Sequence, residues 1–207
     1  TPGEFYQLDM EMAFATQEDV LSTLEDVLVP VFEKFGKYKR VSPAPFRHIP
    51  FNEAMERYGS DKPDTRFDMK ITDISDIVEN CGFGVFADTV KNGGTVRAIN
   101  AKNAAGVYTR KEIDKLTEAA KGIGAKGLAF IRWAEDAEAP TCAFEKFLTP
   151  DEFNAIMQAM NIEKGDVALF VADKNATVLS VLGAIRLQVA AKLDIIPEGY
   201  EFLWITE

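Results

Sequence analysis

Gln7, Asp9 and Glu11 stand at steps of two, between the apolar Leu8, Met10 and Met12. In an extended chain a period of two sends alternate side chains to opposite faces. The three polar groups then share one face. Two carboxylates and an amide on one face suit a cationic partner, such as a substrate ammonium or a nucleotide carrying magnesium. The same alternation also describes an ordinary solvated strand face, and periodicity alone favours that plainer reading.

A second polar cluster lies in Tyr58-Gly59-Ser60-Asp61-Lys62-Pro63-Asp64-Thr65-Arg66. Gly, Ser, Pro and Asp all favour turns, so this run is first of all a polar turn after a short helix. His48 is the only histidine, and no serine lies in a nucleophile elbow. A Ser/His/Asp triad is therefore not indicated, and no catalytic residue is assigned. Gly122-Ile123-Gly124-Ala125-Lys126-Gly127 contains the GxGxxG spacing. A dinucleotide site needs a strand before that loop and a helix after it. Here the helical pattern comes first, so a helix end turning into a strand is the better reading. Cys81 and Cys142 are far apart and form no CxxC pair, so no metal site is expected.

The elements that must position these residues can be read from the rest of the chain. At 207 residues it is long for one domain and short for two full ones. It is 47% hydrophobic and 27% charged, which permits a core of useful size. A net charge of −10 argues against general nucleic-acid binding, although a local basic patch is compatible with it. Two lone cysteines suit a reduced, cytoplasmic setting. No run of about 18 apolar residues stands out, so no membrane span is expected. Glu4, Asp9 and Glu11 interrupt any signal-peptide core.

The period of two predicts a strand over 6–15. Thr16, with Asp19 three residues on, reads as a helix cap, and Val20, Leu24, Val27, Leu28, Val31 and Phe35 follow at helical spacing. Pro30 should kink or split that helix. A loop over 36–45 and an extended piece over 46–51 precede a helix capped by Asn52 and ended by Gly59. A short strand and a helical turn fall within 68–80. Asn92-Gly93-Gly94 signals a hairpin between two strands within 83–102. Thr109 with Glu112, and Thr149 with Glu152, form two further capping boxes, the second with Pro150 at the first helical position. Strands are expected over 127–134, 166–172 and 202–206, with a last helix through Val178, Leu182, Ile185, Val189 and Leu193. Arg186 on that helix is placed to pair with Asp173 or to hold a carbonyl. The result is an α+β fold with two parts.

Glu4-Phe5-Tyr6-Gln7-Leu8-Asp9-Met10-Glu11-Met12-Ala13-Phe14, then Tyr58-Gly59-Ser60-Asp61-Lys62-Pro63-Asp64-Thr65-Arg66, then Tyr200-Glu201-Phe202-Leu203-Trp204-Ile205-Thr206-Glu207 occur in this order. Together they resemble the bacterial-type aspartyl-tRNA synthetases. The stretch between the second and third pieces resembles that family's inserted domain, which is also related to a domain of the tRNA-dependent amidotransferase B and E subunits; Gly165-Asp166-Val167-Ala168-Leu169-Phe170-Val171-Ala172-Asp173 and Leu182-Gly183-Ala184-Ile185-Arg186 carry that likeness. The resemblance implies part of a class II antiparallel catalytic sheet over 1–67, an inserted two-layer α/β domain over 68–194, and a return strand over 195–207.

It implies that Asp9 helps to hold the amino-acid ammonium, with Gln7 and Glu11 near the nucleotide and its metal. Ser60, Asp61 and Lys62 then lie at the active-site rim, where Lys62 meets the acceptor end of tRNA. The partners implied are aspartate, ATP with Mg2+, and tRNA, in a homodimeric ligase with no membrane association. The resemblance also implies that the chain begins and ends inside the catalytic domain, so that this segment alone is inactive and binds no cofactor tightly. The alternative is a free-standing, non-catalytic module associated with tRNA or an amidotransferase.

Overall fold

The computed structural model describes residues 3–207. The elements, in order, are α1 (Gln17–Phe35), β1 (Arg47–Pro50), α2 (Phe51–Tyr58), β2 (Thr72–Asp73), α3 (Ser75–Val78), α4 (Gly84–Lys91), β3 (Thr95–Ala101), α5 (Arg110–Ile123), β4 (Ala129–Arg132), β5 (Thr141–Cys142), α6 (Pro150–Ala159), β6 (Val167–Asp173), α7 (Asn175–Leu193) and β7 (Leu203–Thr206). They fall into two compact units: one runs to His48 and resumes over Glu198–Trp204, and the other covers Ile49–Pro197 with Ile205–Glu207.

In the first unit, α1 starts as its sequence dictates. The Thr16 side chain accepts from the Asp19 N–H at 3.3 Å, and the Asp19 carboxylate accepts from the Thr16 N–H at 2.8 Å. The Thr16 N–H, and then the Thr16 hydroxyl, donate to the Asp19 carboxylate and hold it below its ordinary pKa. Pro30 does not split the helix, which runs unbroken past it. The expected apolar stripe is largely at the surface: Val20, Val27, Val31 and Phe35 are exposed, whereas Glu25 is buried. Glu25 is satisfied by two donors, the Phe46 N–H at 3.1 Å and the Trp204 indole N–H at 2.7 Å. Around it Phe32, Tyr200 and Phe202 make edge and stacked ring contacts, and Phe46 stacks on Phe202 at 5.1 Å. Such ring pairs add to the area they bury.

The second unit is built on a five-stranded, wholly antiparallel sheet in the order β2-β3-β6-β4-β5. Alternation along β6 sorts the core. Val167, Leu169 and Val171 face a cluster with Ile113, Leu116 and Ala120 of α5 and Val178, Leu182 and Ile185 of α7. Ala168 and Phe170 face the opposite cluster, with Val78 of α3, Phe86 of α4 and Ile156 of α6. Helices thus cover both faces, giving three layers instead of the expected two. A strand buried on both faces reads as a continuous apolar run, as this one does.

Two local expectations fail. The first arm of the expected hairpin is helix α4, and Asn92-Gly93-Gly94 is its exit into β3. Phe86, Ala87 and Val90 lie on one helical face, and a run that short fits either period. Thr109 does cap α5 by position but makes no side-chain bond to it, and the Glu112 carboxylate goes to Lys115 and Lys192 instead of back to the cap. By length and composition α7, with a mean hydropathy of 1.4, is a candidate membrane span. In this fold Val178, Leu179, Val181, Leu182, Ile185, Val189 and Ala190 are core, with Arg186 among them, whereas Leu187 is exposed.

Candidate functional site

Gln7, Asp9 and Glu11 lie on a segment that forms no strand. Every side chain from Gly3 to Phe14 is exposed, and the segment joins no ladder among the described residues. A strand needs a neighbour to take its N–H and C=O groups, and period-two patterning without one leaves the backbone to water. Leu8 is 80% exposed, so the apolar face of the pattern has no core beneath it. The Gln7 amide donates to both Asp9 carboxylate oxygens, at 2.7 and 2.8 Å. The pair is therefore preassembled side by side, as the step of two requires.

Ser60, Asp61 and Lys62 lie in the turn after α2. The Lys62 N–H donates to Ser60 Oγ at 3.0 Å, and Lys62 Nζ meets Asp61 at 2.8 Å with both side chains largely exposed. The ammonium holds the Asp61 carboxyl below its ordinary pKa. Asp64 differs: Arg66 grips both its oxygens, through Nε at 2.9 Å and Nη2 at 2.7 Å. That fork keeps the Asp64 carboxyl in its charged form.

The turn owes its position to residues far along the chain. Arg186 of α7 is 1% exposed. Its Nε donates to the Met69 carbonyl at 2.8 Å, and both terminal nitrogens donate to the Asp64 carbonyl at 3.1 Å. Asp173, the other partner considered for Arg186, instead meets Lys126 at 3.7 Å. Burial lowers the Arg186 pKa, with Asp64 and Tyr58 opposing the fall. Arg97 of β3, also buried, spans Glu56 of α2 and Asp73 of β2, the latter at 3.0 Å. Reading the sequence alone misses Arg97 and Glu25, because an isolated charge inside an apolar pattern gives no sign of its partner.

The GxGxxG stretch is a helix end: Gly124 caps α5 at φ 130° and the chain turns into β4. His48 is exposed on β1. Among the described residues no three acidic, cysteine or histidine side chains gather as a metal cage. A cleft of about 740 Å3 opens between α4 and the start of β4, over Phe170 and Ala172.

The GAD domain family matches residues 86–182. The chain is 47% identical over 205 residues to the aspartate--tRNA ligase of Agathobacter rectalis, covering 99% of this chain and 34% of that protein. It is likewise 47% identical over 205 residues to the aspartate--tRNA(Asp/Asn) ligase of Bacillus cytotoxicus, with the same coverage. Over 206 residues it is 47% identical to the aspartate--tRNA ligase of Ruminiclostridium cellulolyticum. The chain spans about a third of the length of these relatives. Residues 86–182 thus match the GAD domain, and nearly the whole chain is similar to about a third of these aspartate--tRNA ligases.

Proposed function

We propose that this chain is a working part of an aspartate–tRNA ligase, an enzyme that activates aspartate with ATP and passes it to tRNA. The observation that carries the proposal is the continuous 47% identity over 99% of the chain, which takes in both polar clusters as well as the GAD domain. In this reading the segment 4–14 becomes one strand of the class II catalytic sheet once neighbours pair with it. Asp9 then faces the aspartate ammonium, steadied by Gln7, while Gln7 and Glu11 lie toward the nucleotide. Magnesium is usually held by one or two carboxylates together with substrate phosphates. Glu11 would offer one such carboxylate, and bound magnesium would supply charge neutralisation at the phosphates.

Ser60, Asp61 and Lys62 form the active-site rim, with Lys62 the cation nearest the acceptor end of tRNA. The ligase works as a homodimer in the cytoplasm. The test is aspartate-dependent charging of tRNA by the complete protein containing this segment. Charging that follows aspartate and ATP, and that falls in Asp9→Ala, supports the reading. A complete protein that charges no tRNA with aspartate removes it.

A further inference from the structure

The run 59–69 is rich in turn-forming residues, and turn propensity alone leaves such a segment many conformations. Here it is fixed at three points. At its entry, Gly59 (φ 68°) touches α7 so closely that an added Cβ would lie 2.1 Å from the Leu179 carbonyl oxygen. Gly183 answers from the other side, where a Cβ would lie 2.8 Å from the Gly59 oxygen. In the middle and at the exit, the carbonyls of Asp64 and Met69 accept from Arg186, whose guanidinium lies 4.2 Å from the centre of the Phe67 ring. Arg66, which grips Asp64, also donates to the Pro197 carbonyl at 3.3 Å.

A buried cation is costly, and an apolar side chain of similar volume would fill the same core space at less cost. What guanidinium adds is a rigid fork of N–H donors with fixed directions. Three of those N–H groups reach two carbonyls five residues apart in the run 59–69. Among the described residues its hydrogen bonds go to carbonyls, with the Asp64 and Asp68 charges nearby favouring the cation, so the fork serves to hold backbone.

We infer that Arg186 is the positioning residue of the rim turn: from α7 it fixes the 59–69 backbone, and so the place of Ser60, Asp61 and Lys62. Arg186 acts through the turn and touches no substrate. This rests on the proposal that the turn faces tRNA, but the hold on the backbone stands apart from it and is tested separately.

The experiment compares wild type, Arg186→Lys and Arg186→Met. In the 207-residue chain, amide hydrogen exchange is followed across 59–71 and across β6. Both variants should speed exchange across 59–71 by about tenfold or more, the larger effect in Arg186→Met, with β6 nearly unchanged. Arg186→Lys is the safeguard against unfolding, since an ammonium keeps the charge but cannot hold both carbonyls as the fork does. Unchanged exchange across 59–71, or equal acceleration in the turn and β6 of Arg186→Lys, overturns the inference. In the complete protein, Arg186→Lys should raise the KM for tRNA several-fold while aspartate-dependent ATP–pyrophosphate exchange stays near wild type. A loosened turn with an unaltered KM for tRNA sinks the role assigned to Ser60, Asp61 and Lys62 and, with it, the positioning of a tRNA contact; the measured hold of Arg186 on the backbone would remain.

Discussion

Gly183 is where α7 meets the end of α2, and its missing side chain is a requirement of that contact. A Cβ there would press on the backbone oxygens of Gly59 and Tyr58, at 2.8 and 2.9 Å. Backbone cannot swing aside as a side-chain tip can, so Gly183→Ala should destabilise the 207-residue chain by about 1–3 kcal/mol. Urea denaturation measures this, and an unchanged midpoint would show that the two backbones are free to part. Asp9 is the opposite case. Its surroundings are open, so Asp9→Ala should change the stability of the chain by no more than about 0.5 kcal/mol.

At this scale the sequence was only partly readable. It supplied the alternation of Gln7, Asp9 and Glu11, and the structure returns the bond between the first two. It left Arg186 between a carboxylate and a carbonyl. Only the fold, by bringing residue 186 against residues 64 and 69, decides for carbonyls. Contacts separated by more than a hundred positions leave no local pattern.

Helices α5 and α7 are joined by an ion pair that titrates in a defined range. Hydrogen bonds from Lys115 and then Lys192 push the Glu112 pKa from 4.5 down to about 2. The folded-state pKa is depressed, so the pair's contribution is fully present above about 4.5 and is lost as pH falls toward 2. Glu112→Gln should therefore melt below wild type at pH 6, and the two curves should converge near pH 2. A constant difference across that range would mean that Glu112 matters through packing alone. Proteolysis reports on the elements at the other extreme. Phe5, Tyr6 and Phe14 are fully or nearly fully exposed on a segment without a ladder, so chymotrypsin should cut there first. The 59–69 turn, although rich in turn residues, should resist, and early cleavage after Phe67 would contradict its fixation by α7.

Long elements with strong signals were legible: the capped α1 and α6, the buried β6 and the long α7. The strand over 6–15 and the first arm of the hairpin were not. A strand is a property of a pair, and a seven- or eight-residue apolar run satisfies either period until its neighbours are known.

The whole molecule combines a unit that packs both faces of its own sheet with a segment, 3–14, whose apolar side chains are open to solvent. The chain spans about a third of the length of its aspartate--tRNA ligase relatives. The 207-residue chain by itself should give no aspartate-dependent ATP–pyrophosphate exchange above a protein-free blank.

The most direct measurement is steady-state aspartylation of tRNA by the complete protein, at varied aspartate, with and without Asp9→Ala. Loss of a charged partner for a buried ammonium costs roughly 2–5 kcal/mol, so kcat/KM for aspartate should fall by about thirtyfold to several thousandfold. An unchanged kcat/KM in Asp9→Ala, or no transfer of aspartate to tRNA by the unaltered protein, would contradict the account.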